Sequence, residues 1–159
     1  MALRIGLLPL GRPNFDVPFA EEMLAAALAA LGRTEHEIVG PRHLLFDAAA
    51  TEDALATLRG ERLDRVLILQ TTFTDAAMTL KIAETLAAPL AFWAFPEPRL
   101  GGRLRLNAFC GLNLAAHALG RAGRDLTWLY LHPDAPGVDA ALAGLLAGAA
   151  AIDSRAQDY

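Results

Sequence analysis

Four short stretches hold most of the side chains that could do chemistry. Gly11, Arg12, Asn14 and Asp16 form the first. Gln70, Thr71, Thr72, Thr74 and Asp75 form the second, and Glu97, Arg99, Arg103, Arg105 and Asn107 the third. His132 and Asp134 make up the fourth. Each follows an apolar run. Hydroxyl, amide, carboxylate and guanidinium groups in such a mixture suit a polyhydroxylated ligand or a polar interface. Asp16, Thr74 and Asp75 also stand where helix caps belong, and capping accounts for them equally well. Arg99, Arg103 and Arg105 can bind anions or form a solvated or interface face.

The other reactive residue types exclude more than they suggest. His36, His43, His117 and His132 do not pair at i, i+4 with another His or Cys, so there is no helical zinc motif. His117 lies one turn beyond Asn113 and is read as a partly buried histidine bonded to a neighbour. Cys110, at a helix N-terminal turn, could have a lowered pKa, but it reads better as a small buried packing residue. Trp93 and Trp128 read as core. No Gly-x-Gly-x-x-Gly or Walker A loop occurs. The first loop lacks the Ser, Thr and Gly of a flavin-phosphate site. It also lacks the acidic pair of a phospho-receiver. Ser154 is the only serine, which excludes a Gly-x-Ser-x-Gly nucleophile elbow.

The elements that must position these groups alternate strictly. Strand-like runs occupy Leu3–Leu10, Glu37–Val39, Arg65–Gln70, Pro89–Phe95 and Thr127–Leu131. Helical patterns occupy Pro18–Leu31, Glu52–Arg59, Ala76–Ala87, Phe109–Arg121 and Val138–Ile152. Such alternation implies parallel strands joined by right-handed crossovers, with helices on both faces. The expected fold is α/β: a three-layer, doubly wound parallel sheet of five strands, flavodoxin-like in order 2-1-3-4-5. All four polar stretches then fall at the carboxyl ends of strands, where such folds bind ligands. One Rossmann-like domain is expected over residues 1–152, with a polar tail over 153–159.

Composition narrows the setting. At 159 residues the chain has room for one ordinary domain. Its net charge of −4 has the wrong sign for a nucleic-acid binder. Its apolar stretches are too short for a membrane span, and its start lacks the pattern of a signal peptide. One cysteine excludes an intramolecular disulfide and a Cys-based metal site, and it fits a reducing, cytoplasmic setting.

Four stretches together carry a family likeness: Gly6 to Asp16, Leu69 to Asp75, Trp93 to Glu97 and Gly101 to Leu119. The last is the most specific, and its Asn-Leu-Ala-Ala-His from Asn113 to His117 is similar to an Asn-Gln-Ala-Ala-His segment of arabinose isomerases. From about residue 3 to 150 the chain resembles the N-terminal domain of the L-fucose/L-arabinose isomerase superfamily, most closely the bacterial fucose isomerase-like proteins. That resemblance implies metal-dependent aldose–ketose isomerisation. A divalent ion, usually manganese, holds adjacent sugar oxygens while carboxylates move a proton between C1 and C2 through an enediol.

The family's metal-binding Glu, Asp and His lie in domains that follow this one, so the resemblance implies no catalytic residue and no metal ligand within this chain. It implies a substrate-covering domain that helps complete the active site of a neighbouring subunit. Carried over by motif position, Arg12 and Glu97 face the sugar, with Gln70, Thr72, Arg103 and Asn107 as further substrate-binding candidates. Asn113 and His117 support that wall. The partners implied are a pentose or deoxyhexose, held at most weakly, the remaining isomerase domains and neighbouring subunits; no nucleic acid or membrane is expected. The alternative is a standalone sugar-binding or assembly module without catalytic domains. A third reading is an unrelated small enzyme on the same fold.

Overall fold

The computed structural model describes residues 1–148 and 152–153. Its strands are β1 (Arg4–Leu10), β2 (Glu37–Val39), β3 (Arg65–Gln70), β4 (Leu90–Ala94), β5 (Leu126–Tyr130) and β6 (Ile152–Asp153). Its helices are α1 (Val17–Gly32), α2 (Ala48–Leu58), α3 (Ala76–Thr85), α4 (Ala108–Arg121) and α5 (Val138–Leu146). The sheet order is β2-β1-β3-β4-β5-β6 and every pairing is parallel. The expected order of the first five strands is therefore the observed one. β3 and β4 are buried almost throughout because helices cover both faces, which is why their sequences are nearly continuous apolar runs.

Helix α3 packs between α2 and α4 on one face. On the other, the end of α1 meets the start of α5, where Arg33 donates to Asp139 at 2.9 Å. The core runs through the sheet, with Leu7, Leu8, Leu67, Ile68, Phe92 and Trp93 fully inaccessible. Trp93 satisfies its indole N–H on the carbonyl of Leu131 at 2.9 Å, as a buried donor must. Trp128, expected in the core, is only partly buried.

Two helices differ in extent from the sequence reading. α2 begins a turn earlier than expected, because the Asp47 carboxylate caps it by accepting from the Ala50 N–H at 2.8 Å. α5 stops at Leu146 instead of Ile152. Gly148 turns the chain with φ +85°, and Ile152–Asp153 returns to the sheet as the short edge strand β6. Most of the expected polar tail, over 154–159, lies outside the described residues.

Register brings the strand ends level. Leu10 pairs with Gln70, Gln70 with Ala94, and Ala94 with Tyr130. The loops after β1, β3, β4 and β5 therefore leave the sheet at one height, and their polar side chains gather on one edge.

Candidate functional site

The loop after β1 carries Arg12, which is tied down on three sides. Its backbone N–H donates to Thr72 Oγ1 at 2.9 Å. Nη1 donates to the Phe46 carbonyl at 2.9 Å and Nη2 to Asp75 Oδ2 at 2.7 Å. Asp75 also caps α3 by accepting from the Ala77 N–H at 2.9 Å. Arg12 thus pins the starts of α2 and α3 to the end of β1. Its side chain keeps 24% exposure.

Gln70 and Thr72 lie beneath that surface, both inaccessible. Gln70 Nε2 donates to the Thr72 carbonyl and to Thr74 Oγ1, each at 2.9 Å. Thr72 Oγ1 accepts from Arg12 and donates to the Phe73 carbonyl at 2.9 Å. Both side chains shape the edge from below. Gln70 Oε1 and Thr71 Oγ1 have no hydrogen-bond partner among the described residues.

Glu97 organises the loop after β4. Its Oε2 accepts from the Arg105 N–H, and its Oε1 from those of Leu106 and Asn107, all at 2.7 Å. These donors lead into α4, where a negative group is favoured by the helix dipole. Asn107 sits at the helix entry with φ 54°, and its side chain makes no cap bond. The Glu97 carboxylate does the work that a capping side chain would otherwise do. It is committed to backbone, whereas the family resemblance implies that it faces sugar.

From this neck the loop folds back across the edge. The Leu106 carbonyl accepts from the Phe73 N–H at 2.8 Å and that of Arg105 from the Asp16 N–H at 3.0 Å. Arg105 Nε donates to Asp16 Oδ2 at 2.7 Å, and its guanidinium carbon lies 3.9 Å from the Phe19 ring centroid. Asp16 Oδ1 caps α1 by accepting from the Phe19 N–H at 3.1 Å. Its carboxyl is held below the usual range, first by the Arg105 hydrogen bond and then by the Phe19 N–H.

Beyond the neck the loop is exposed. Gly101 and Gly102 take φ +72° and +79°, and Leu100 and Leu104 are solvent-facing. Arg103 is exposed and has no hydrogen bond or ion pair among the described residues. Asn113, His117 and Cys110 all lie exposed on α4. His117 is therefore not the partly buried, bonded histidine expected, and Cys110 is not a buried packing residue. A helix repeat explains both: the inward face of α4 is taken by Gly111, Leu112, Ala115 and Leu119. His132 accepts the Asp134 N–H on Nδ1 at 3.0 Å and closes the turn after β5.

The structure thus brings Arg12, Gln70 and Thr72 into one cluster and joins Glu97 to Asn107 in another. The unanticipated parts are the Asp16–Arg105 pair and the close approach of Gly111 to Gln70, where a Cβ on Gly111 would lie 2.8 Å from Gln70 Nε2. Both residues of the first pair were visible as polar loop residues, but nothing in their spacing of 89 positions linked them. Among the described residues, no three His, Cys, Asp or Glu side chains gather closely enough to hold a metal ion. A divalent ion finds no ligand set among the described residues of this edge. No helix of the described residues is long and apolar enough to cross a membrane.

Comparison with known proteins agrees with this architecture. Residues 6–154 match the family described as the fucose/sulfoquinovose isomerase N-terminal domain. Sulfoquinovose isomerases of Priestia aryabhattai and Priestia megaterium are each 29% identical over 126 residues, covering 79% of this chain and 28% of theirs. A sulfoquinovose isomerase of a Clostridium species is 31% identical over 124 residues, covering 77% of this chain and 27% of its own. The chain spans little more than a quarter of the length of these relatives. It belongs to the fucose/sulfoquinovose isomerase family, as that family's N-terminal domain.

Proposed function

We propose that this domain covers the sugar and joins subunits in a metal-dependent aldose–ketose isomerase, without being catalytic by itself. The observation that carries this reading is the match of residues 6–154 to the N-terminal domain of a sugar isomerase family. The carboxyl edge supports it. Arg12 stays partly exposed there, Arg103 and Asn107 stand on the loop after β4, and Gln70, Thr72 and Glu97 are spent on holding that surface in shape. Such an edge can orient hydroxyl groups. Its carboxylates Asp16, Asp75 and Glu97 are engaged by Arg105, Arg12 and the backbone N–H groups entering α4, which supports a holding role over a proton-moving one.

The proton transfer and its divalent ion then belong to other domains of the assembly, in a cytoplasmic setting. The sugar is a pentose or deoxyhexose by the fucose and arabinose likeness, or a sulfonated hexose by the names of the relatives above. Calorimetry of this chain with L-fucose, L-arabinose and sulfoquinovose tests the reading. A covering domain gives binding no tighter than about the millimolar range, roughly 4 kcal/mol. Micromolar binding would instead make the chain a sugar-binding module in its own right.

A further inference from the structure

The sheet ends on one side at β2, whose outer edge has no strand beside it among the described residues. In the parallel pairing of β2 with β1, Glu37 lies opposite Arg4, and the Glu37 N–H donates to the Leu3 carbonyl at 2.9 Å. Backbone groups alternate sides along a strand, so Ile38 turns its N–H and carbonyl away from β1. An edge of this kind is a template for another strand.

Arg42 lies on that edge. Its Nη2 donates to the Ile38 carbonyl at 2.7 Å and its Nη1 to the Gly40 carbonyl at 2.8 Å. A guanidinium is a planar fork, so one side chain spans both acceptors. The turn between strand and arginine is built for this return. Gly40 has φ +117°, and a Cβ there would lie 2.6 Å from the Leu7 carbonyl oxygen, so the position requires glycine. Pro41 fixes the next φ. The chain regains β1 only at Leu45, whose N–H donates to the Pro9 carbonyl at 2.8 Å. Arg42 itself is exposed. Its hydrogen bonds replace bonds to water and contribute little to folding. Their effect is on what can approach the edge.

We propose that Arg42 is a clasp that keeps the β2 edge from pairing with the β2 edge of a second copy of this chain. Without the clasp, two copies meet as antiparallel strands about a two-fold axis, with Ile38 opposite Ile38. Each Ile38 then gives its N–H to the other's carbonyl, the same oxygen that Arg42 occupies. Glu37 falls opposite Val39, so no like charges oppose the pairing. In the native chain this edge is closed, and any assembly of the domain uses another surface.

Arg42→Ala, Arg42→Lys and Arg121→Ala, each compared with the wild type, test this. Arg121 is an exposed arginine in the last turn of α4, which packs against β3, β4 and β5, so its loss removes the same charge away from β2. Sedimentation equilibrium over a range of concentrations reads self-association, and hydrogen exchange reads the Ile38 amide. Arg42→Ala should associate at least about tenfold more strongly than the wild type, the size of two backbone hydrogen bonds. Its Ile38 amide should become protected as concentration rises. Arg42→Lys, with one ammonium for two carbonyls, falls between. Arg121→Ala matches the wild type.

Three outcomes overturn the inference. Arg42→Ala that associates no more than the wild type leaves no clasp, and a lowered urea midpoint would then make Arg42 a stabiliser of its own turn. Equal association of Arg42→Ala and Arg121→Ala assigns the effect to lost charge. Association of Arg42→Ala without protection of the Ile38 amide places the contact on another surface.

Discussion

Asp16 holds two loops and one helix with a single carboxylate. It accepts from Arg105 and from the Phe19 N–H, and both contacts favour its charged form. A depressed carboxyl pKa contributes stability that is complete above the ordinary carboxylate range and is lost as pH falls through the lowered value. Asp16→Asn retains an oxygen for the cap but removes the ion pair. The variant should unfold at lower urea than the wild type at neutral pH. The gap should close as pH falls below the usual carboxylate range, and high salt should narrow it. Equilibrium unfolding curves at several pH values check this; a gap that does not change with pH would contradict it. At this scale the sequence was half legible. Residue types at the strand ends showed a polar edge, and Asp16 and Asp75 are the caps their positions suggested. Which way a side chain turns was not legible. Glu97, Gln70 and Thr72 are taken up by backbone and hydroxyl partners that only the folded loops bring near.

Helix α4 shows how an element is fixed by contacts outside its own sequence. It contains Gly111 and Gly120, and by propensity each should be better as alanine by about 1 kcal/mol. The surroundings separate them. A Cβ on Gly111 would lie 2.8 Å from Gln70 Nε2 and 3.1 Å from the Phe73 Cα, whereas one on Gly120 meets nothing within 4 Å. Gly120→Ala should therefore stabilise the protein by roughly 0.5–1 kcal/mol. Gly111→Ala should destabilise it by about 1–3 kcal/mol, since the Phe73 backbone cannot yield cheaply. Urea midpoints of the two variants check the contrast, and equal effects would contradict it. Element positions were largely readable from apolar periodicity, and the misses have local causes. Asp47 starts α2 early through its cap, and Gly148 ends α5 before the Ala-rich pattern does. Alanine is helix-forming wherever it stands, so an alanine run alone does not mark where a helix stops.

At the scale of the whole molecule, strict alternation of strands and helices was enough to give the order of the first five strands, because crossover handedness leaves few alternatives. The two-residue strand β6 was not readable, since so short a run carries no periodicity. The fold places the loops after β1, β3, β4 and β5 on one edge, yet that edge is built to hold and shape. Three of its carboxylates serve as caps or ion-pair partners: Asp16 and Asp75 each do both, and Glu97 anchors the entry to α4. On the proposed covering role, this edge faces a sugar without transforming it. Direct measurement of isomerisation tests that claim best. The purified chain would be incubated with manganese and, in turn, L-fucose, L-arabinose and sulfoquinovose, and ketose would be followed by carbon-13 nuclear magnetic resonance. No ketose should form above the protein-free rate. Ketose formation proportional to the amount of chain, and abolished by a chelator, would contradict it.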